Sequence, residues 1–173
     1  PIKELVGAYA VIWTTTPWTI PVNQALAYGA DVEYVLVQLS GGLEHSEASF
    51  NFGANIAGKR LLIAAPLLEA FEKRTGWIGG RSEYWRGKGA DLAGAVARHP
   101  MARRFPSIEF FTKDRLFLDG SDFVTTDAGT GLVHMAPDHG EDDFLLCKAN
   151  GIDPVFAVEG DGKYRADWGW LGG

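Results

Sequence analysis

Residues 129–143, GTGLVHMAPDHGEDD, contain the pattern that decides the fold. The run 131–135 is largely apolar and follows a glycine-containing turn, which is typical of a buried strand. The acidic trio 141–143 and the later Asn150–Gly151 are the start and stop signals of a short helix. The segment therefore predicts a strand that delivers His134 to its end, then a loop, then a helix.

Strand patterns recur on both sides of this segment. We predict further strands at residues 8–14, 32–39, 60–64, 108–118, 122–126 and 155–158, with a hairpin turn at 161–162. A second helix is predicted at 66–75, between a proline and a glycine. The glycine-rich segment 77–94 is assigned as loop with brief strands. Many short strands and two convincing helices indicate a mainly β fold, with a β-barrel-like core and a few flanking helices.

Composition limits the class of protein. The 173 residues, 46% of them hydrophobic, fit a single domain over 1–173. The net charge of −6 argues against a protein that binds nucleic acid by itself, because such binding depends on Lys and Arg neutralising phosphates. The single Cys147 and the lack of a signal pattern or long apolar run favour a cytoplasmic protein without a membrane segment, expected to be a monomer. Because the chain starts at Pro1, we expect it to be a piece of a longer polypeptide.

The second notable stretch is residues 13–19, WTTTPWT, followed by Pro21 and Asn23. Its simplest explanation is a strand end, where threonine is favoured by β propensity and proline stops the pairing. A cluster of hydroxyls at a strand end is also able to hydrogen-bond a polar substrate and hold a water molecule. Threonine alone is a poor nucleophile without a paired base, so we expect it to bind and not to attack.

The residues around His134 allow three interpretations. His134 fits a hydrogen-bonded core histidine, and the acidic trio 141–143 fits a helix N-terminus that interacts favourably with the helix dipole. A metal site would use His134, His139, Asp142 and Asp143 as mixed nitrogen and oxygen ligands. The third interpretation is a substrate pocket, and residue types alone leave all three open.

Taken together, the two stretches resemble the paired signature of the editing domain inserted in isoleucyl-, valyl- and leucyl-tRNA synthetases. Thr15-Thr16-Pro17-Trp18 resembles the isoleucyl form, because the valyl and leucyl forms have an arginine before the proline. The run 134–143 also resembles the isoleucyl pattern. Met135 and Asp138 depart from it, at positions to which we assign no chemistry.

This resemblance implies the editing-domain fold and a hydrolase activity. The implied substrate is valine esterified to the isoleucine tRNA, with valyl-adenylate as a second candidate. One methylene is worth only about 1–3 kcal/mol of discrimination, a limit for which isoleucyl-tRNA synthetase is itself the standard example. The implied partners are this charged tRNA and the rest of the parent synthetase.

The resemblance also implies roles for individual residues. Asp143 is expected to bind the α-ammonium of the amino acid, while Thr15, Thr16 and Asn23 bind the carbonyl and ribose end and position the attacking water. The expected substrate-binding residues are Thr14, Trp18, Thr19, His134, Ala136 and His139, with His134 and Trp18 as pocket wall. No metal or cofactor is expected in this domain, although the parent synthetase uses ATP and magnesium.

Three alternatives remain at this point. A non-catalytic docking module would hold the tRNA acceptor end through Arg81, Arg86 and Lys88 with nearby aromatic residues. An unrelated metallohydrolase would use His134, His139 and Asp143. An editing domain of a valyl or leucyl synthetase would share the fold but take another amino acid.

Overall fold

The computed structural model describes residues 2–40, 56–77 and 79–172, with only the backbone of Trp170. Its strands are β1 (Tyr9–Ala10), β2 (Ala25–Tyr28), β3 (Glu33–Ser40), β4 (Arg60–Ala64), β5 (Gly80–Lys88), β6 (Val96–Arg98), β7 (Asp114–Asp119) and β8 (Leu132–Met135). Its α-helices are α1 (Leu68–Thr75), α2 (Glu109–Thr112) and α3 (Glu141–Ala149). Short 3₁₀ helices lie at Lys3–Leu5, Pro17–Val22, Ala65–Leu67, Gly89–Leu92 and Gly169–Leu171.

The strands form two four-stranded sheets. The first has the order β1-β4-β3-β5 and the second β6-β7-β2-β8. In the first sheet β1 runs parallel to β4, whereas β3 is antiparallel to both of its neighbours. The mainly β class with few helices is confirmed, but the described strands form two open sheets and not a closed barrel.

The chain divides into two compact units. The first contains Pro1–Thr14, Ala27–Ala95 and Asp119–Val133, and the second contains Thr15–Leu26, Val96–Leu118 and His134–Gly173. Strands β2 and β8 each have residues in both units. All predicted site residues except Thr14 belong to the second unit. Pro1 and Gly173 lie outside the described residues.

The first unit is built around β3, which is buried along most of its length. Its sequence has no cleanly polar face, which predicts a strand covered on both sides. Apolar residues of β3, β4 and α1 form one core cluster, together with Trp77: Val35, Val37, Leu39, Leu61, Ile63, Leu68 and Phe71. The predicted inner strand at 32–39, the strand at 60–64 and the helix within 66–75 are therefore confirmed.

The assignment of 77–94 as mostly loop is wrong. Residues 80–88 form β5, the longest described strand, and pair with β3 from Glu33↔Lys88 to Ser40↔Gly80. Most of β5 is exposed and its sequence is polar, so it lacks the apolar alternation on which a strand prediction depends. Backbone pairing with the buried β3 supplies the stability that its side chains do not. Ile78 lies outside the described residues.

Three predicted strands are wrong in whole or in part. Residues 109–112 of the predicted strand 108–118 form α2, and β7 begins only at Asp114. Residues 122–126 contain no strand: residues 122–123 belong to a turn, and the Val124 N–H that follows donates to the carbonyl of Gly120 at 2.8 Å. The segment 155–158 contributes only an isolated bridge between Val158 and Tyr164, although the predicted hairpin turn at 161–162 does connect them.

The first predicted strand is shorter than expected, since only two residues of 8–14 form β1. β8 and α3, by contrast, match the prediction from 129–143 closely. No helix in the described part of the chain is long and apolar enough to cross a membrane.

Close backbone packing in the first unit depends on Gly89. A Cβ atom added there would lie 2.0 Å from the carbonyl oxygen of Gly29, a rigid backbone atom. We therefore expect Gly89→Ala to lower the free energy of unfolding by about 1–3 kcal/mol, as overpacking does. Gly160→Ala is the matched control, because a Cβ there meets no atom within 4 Å. Urea unfolding measures both, and equal stability of the two variants would contradict this packing.

Candidate active site

The threonine-rich stretch forms a 3₁₀ helix, Pro17–Val22, within the second unit. Pro17 opens it with a fixed φ, and the Thr19 N–H donates to the carbonyl of Thr16 at 2.9 Å. Because of this turn, the threonine side chains of the stretch differ in their exposure to solvent. Thr15 and Thr16 are exposed, whereas Thr19 is buried.

His134 lies at the end of β8, where its buried ring has a hydrogen-bond partner on each nitrogen. Nδ1 is 3.2 Å from the side-chain nitrogen of Asn23, and Nε2 is 2.8 Å from the hydroxyl of Thr19. The Asn23 amide nitrogen also donates to the carbonyl of Ala25 at 2.8 Å. A carbonyl only accepts, so this last bond fixes which end of the Asn23 amide carries the protons.

These contacts determine the tautomer of His134. Because the Asn23 nitrogen is a donor, Nδ1 of His134 must accept, and the ring proton of the neutral form lies on Nε2. The Nε2–H then donates to Thr19, whose own hydroxyl donates to the carbonyl of Thr16 at 2.8 Å. The result is a one-way chain of donors from Asn23 through His134 and Thr19, called the histidine chain below.

The electrostatics favour the same neutral form. Burial lowers the pKa of His134, with His139 acting in the same direction and Asp143 against it. A neutral ring is the only form whose Nδ1 is able to accept from Asn23. His134 is therefore a fixed, uncharged surface near neutral pH.

Asp143 is the third residue of α3, and its half-buried carboxylate accepts a hydrogen bond from the Ala136 N–H at 2.7 Å. Burial raises the pKa of Asp143, and this hydrogen bond counteracts part of the shift. Among the described residues, no hydrogen bond reaches its other oxygen, Oδ1. A cationic ligand would supply the counter-charge that this carboxylate lacks.

Because Gly140 has no side chain, the Asp143 carboxyl group is able to lie close to its backbone. A Cβ atom added at Gly140 would lie 3.1 Å from the carboxyl carbon of Asp143. Any larger residue at 140 would therefore press on the Asp143 carboxyl group.

Two aromatic rings meet near the same loop. The rings of Trp18 and His139 are in edge contact, with centroids 4.9 Å apart. His139 Nε2 lies 3.9 Å from an oxygen of Asp138 and is buried without a hydrogen-bond partner among the described residues. The indole of Trp18 is half exposed.

Asn23 and Thr19 differ from the other predicted site residues, because their side chains are hydrogen-bonded to His134. The side-chain nitrogen of Asn23 is committed to Ala25 and His134, and the hydroxyl of Thr19 to His134 and Thr16. Both belong to the support of the His134 ring, whereas Thr15 and Thr16 are at the surface. Thr14 falls in the first unit.

The proposed metal ligands do not form a ligand set. Among the residues that the structure describes, no group of three His, Cys, Asp or Glu side chains is arranged to hold a metal ion. His134 in particular has both ring nitrogens in hydrogen bonds.

Sequence reasoning missed His99 and Arg115, two buried residues that hold the 3₁₀ helix in place. The His99 Nδ1 accepts from the Met101 N–H at 3.1 Å, so its Nε2–H donates to the carbonyl of Ile20 at 3.1 Å. Arg115 donates from Nε to the carbonyl of Asn23 at 2.8 Å. The one available signal was an arginine beginning the otherwise apolar run 115–118.

Sequence comparison relates the chain to one group of enzymes. It is 59% identical over 172 residues to the isoleucine–tRNA ligase of Zymomonas mobilis, and 46% identical over 168 residues to that of Gluconobacter oxydans. These matches cover 99% and 97% of this chain, but the chain spans only 16% of the length of either relative. A scan against protein-family models finds no match.

Structure comparison shows the fold. The chain matches a leucyl-tRNA synthetase CP1 structure, GlLeuRS-CP1, with a TM-score of 0.57 at 15% identity, over 85% of this chain and 52% of that one. It matches the editing domain of the Plasmodium falciparum cytosolic leucyl-tRNA synthetase with a TM-score of 0.56 at 13% identity, over 80% and 46%. The chain is therefore a homologue of one segment of the isoleucine–tRNA ligases and has the editing-domain fold, which confirms the resemblance drawn from the two motifs.

His99 makes stability depend on pH. Burial, followed by the nearby charge of Arg115, lowers the pKa of His99 to about 4 from 6.5. Between these values the unfolded chain binds a proton that the folded chain refuses, so the free energy of unfolding decreases as the pH falls, by roughly 3 kcal/mol over the full window. Urea unfolding at pH 7.5 and 4.5 measures the loss. His99→Gln should show a smaller loss, and an equal loss in both proteins would contradict the assignment.

Proposed function

We propose that this homologue of an isoleucine–tRNA ligase segment is an aminoacyl-tRNA deacylase, which removes valine from isoleucine tRNA. The observation that carries the proposal is the half-buried Asp143 carboxylate: within residues 2–40, 56–77 and 79–172 no hydrogen bond reaches its Oδ1, which is available to a cation near the neutral His134 ring. The family relationship and the editing-domain fold support the same reaction.

The proposed reaction is the hydrolysis of an ester. Water attacks the carbonyl carbon of the valyl ester, the bond to the ribose oxygen breaks, and that oxygen takes a proton. The products are free valine and intact tRNA. An aminoacyl ester is already activated, so orientation and modest polarisation of the carbonyl suffice, with no metal ion or covalent intermediate.

Asp143 binds the α-ammonium in this proposal. Its burial makes the isolated carboxylate unfavourable, and an ammonium group compensates for that cost through a charge-assisted hydrogen bond. The exposed hydroxyls of Thr15 and Thr16 bind the ester and the attacking water. Trp18 provides one wall of the pocket and His134 the other.

In this proposal the pocket rejects isoleucine because its wall is rigid. Isoleucine exceeds valine by one methylene, and a pocket rejects that methylene only if its wall does not move. The histidine chain supplies such a wall, because the ring of His134 is fixed on both nitrogens.

The rest of the parent synthetase supplies what this segment lacks. The chain has a net charge of −6, so binding of tRNA phosphates requires basic surfaces elsewhere. ATP and magnesium serve the synthetic site in our proposal, and the parent protein acts in the cytoplasm.

The basic experiment compares hydrolysis of valyl- and isoleucyl-tRNA(Ile) by the chain, in buffer containing EDTA. We expect valyl-tRNA hydrolysis to be catalysed and isoleucyl-tRNA to be spared. No catalysis of either ester, or activity that needs added zinc, would overturn the proposal.

The role of Asp143 is tested by two ligands that differ in one group. Asp143→Asn keeps an acceptor for the Ala136 N–H but removes the charge. We expect it to weaken binding of a non-hydrolysable valyl-adenosine analogue by about 10²-fold, through loss of a charge-assisted bond worth about 2–3 kcal/mol. The analogue without the α-amino group should bind both proteins equally. Calorimetry measures these affinities.

The matched control is Asp142→Asn, a change of the same kind at the exposed neighbour of Asp143. It should leave binding of both analogues unchanged. If folded Asp143→Asn binds the amino analogue as tightly as the unchanged chain does, Asp143 does not bind the ammonium.

The role of His134 is tested by substrate discrimination. His134→Ala removes the wall and should allow hydrolysis of isoleucyl-tRNA, raising its kcat/KM at least about tenfold. Hydrolysis of valyl-tRNA should persist, because Asp143 and the threonine hydroxyls remain. If His134→Ala loses hydrolysis of valyl-tRNA and still does not hydrolyse isoleucyl-tRNA, His134 takes part in the chemistry and not in size selection.

A further inference from the structure

Arg115 is a buried cation whose hydrogen bonds in the described part of the chain all go to backbone carbonyls. Its side chain lies on β7, and the residue is 3% exposed. Nε donates to Asn23 at 2.8 Å, Nη1 to Lys113 at 2.6 Å and Nη2 to Phe110 at 2.7 Å. The ion pairs found among residues 2–40, 56–77 and 79–172 include none with Arg115.

Burying the Arg115 guanidinium costs free energy, because the charge loses its contact with water. Removing a charge from water costs several kcal/mol unless a counter-charge or hydrogen bonds compensate. Burial lowers the pKa of Arg115 to about 10, which reflects the same cost. The ring of Phe110, 4.8 Å from the guanidinium carbon, provides further compensation through a cation–π contact. An apolar residue would fill the space at a lower cost but would leave three carbonyls without donors.

The bond to Asn23 connects Arg115 to the site. Asn23 ends the 3₁₀ helix, so its backbone position is set by how that helix terminates. The guanidinium holds the Asn23 carbonyl, and the Asn23 side chain then donates to His134. A shift of the Asn23 backbone by a fraction of an ångström would lengthen its bond to Nδ1, which is already 3.2 Å.

We propose that Arg115 is a positioning residue for substrate selection: by holding Asn23, it fixes the tautomer and orientation of His134 and so the refusal of isoleucine. The selection part of this inference rests on the proposed function, whereas the effect on His134 does not.

The test uses Arg115→Met, which keeps most of the side-chain volume and removes every donor. The matched control is Arg98→Met, which removes an exposed cation from the adjacent strand β6. Nitrogen-15 NMR of the imidazole side chains reports the His134 tautomer, and deacylation assays with valyl- and isoleucyl-tRNA report selectivity.

In the unchanged chain, His134 should show one tautomer, protonated on Nε2. Arg115→Met should show an average of two tautomers and a valine-to-isoleucine selectivity at least about tenfold lower, equivalent to about 1.4 kcal/mol. Valine kcat/KM should stay within about threefold, since the reacting groups are untouched. Arg98→Met should change neither measurement.

Two results would overturn the inference: a folded Arg115→Met protein with a single His134 tautomer, or a changed tautomer with unchanged selectivity. If the unchanged chain hydrolyses neither ester, the proposed function fails, and the NMR result still decides whether Arg115 positions His134. If Arg115→Met does not fold, Arg115→Lys keeps the charge with fewer donors and should change both readouts in the same direction.

A measurement on the unchanged chain needs no variant. The Nε–H of Arg115, bonded to a buried carbonyl, should exchange with solvent at least about a hundredfold more slowly than that of Arg98. Equal exchange rates would mean that Arg115 does not hold Asn23.

Discussion

The site depends on one side-chain amide, that of Asn23. Its nitrogen donates one proton to the carbonyl of Ala25 and the other to Nδ1 of His134. The first bond fixes the orientation of the amide, and the second fixes the protonation and direction of the histidine ring. A buried polar group that lacks a partner costs about 1–3 kcal/mol, so each bond in this arrangement requires the next. The threonine-rich loop and the strand β8 are thereby joined through hydrogen bonds whose donors and acceptors follow from the orientation of the Asn23 amide.

Burial acts in opposite directions on the two titratable groups of the site. It raises the pKa of Asp143 and lowers the pKa of His134, so that it disfavours the charged form of each. The ring satisfies its nitrogens with neutral partners and remains rigid. The Asp143 carboxylate has one oxygen without a hydrogen-bond donor in the described part of the chain, and a ligand ammonium would supply that donor. In our proposal the same low-dielectric surroundings therefore make one residue a wall and the other a ligand-binding group.

The sequence predicts an element of the fold or a residue of the site when the signal lies in its own residues, and not when it depends on contacts with other parts of the chain. The buried strands β3 and β4 and the helices α1 and α3 have apolar patterns or end signals within their own residues, and all four are predicted well. The polar edge strand β5 exists because β3 pairs with it, and its own side chains do not indicate this. The motifs identify His134 and Asp143, whereas the hydrogen bonds by which Asn23 and Thr19 support the His134 ring are not specified by any motif. Arg115 was missed because its role lies in three backbone carbonyls, which no sequence motif specifies.

In our proposal a fixed, neutral His134 and the half-buried carboxylate of Asp143 form one pocket for a valine ester. A crystal structure of this chain with a non-hydrolysable valyl-adenosine analogue tests it most directly. We expect the α-ammonium within about 3 Å of Asp143, the isopropyl group against the His134 ring, and that ring still bonded to Asn23 and Thr19. An analogue bound away from Asp143, or a His134 ring that leaves Asn23 to bond the ligand, would contradict it.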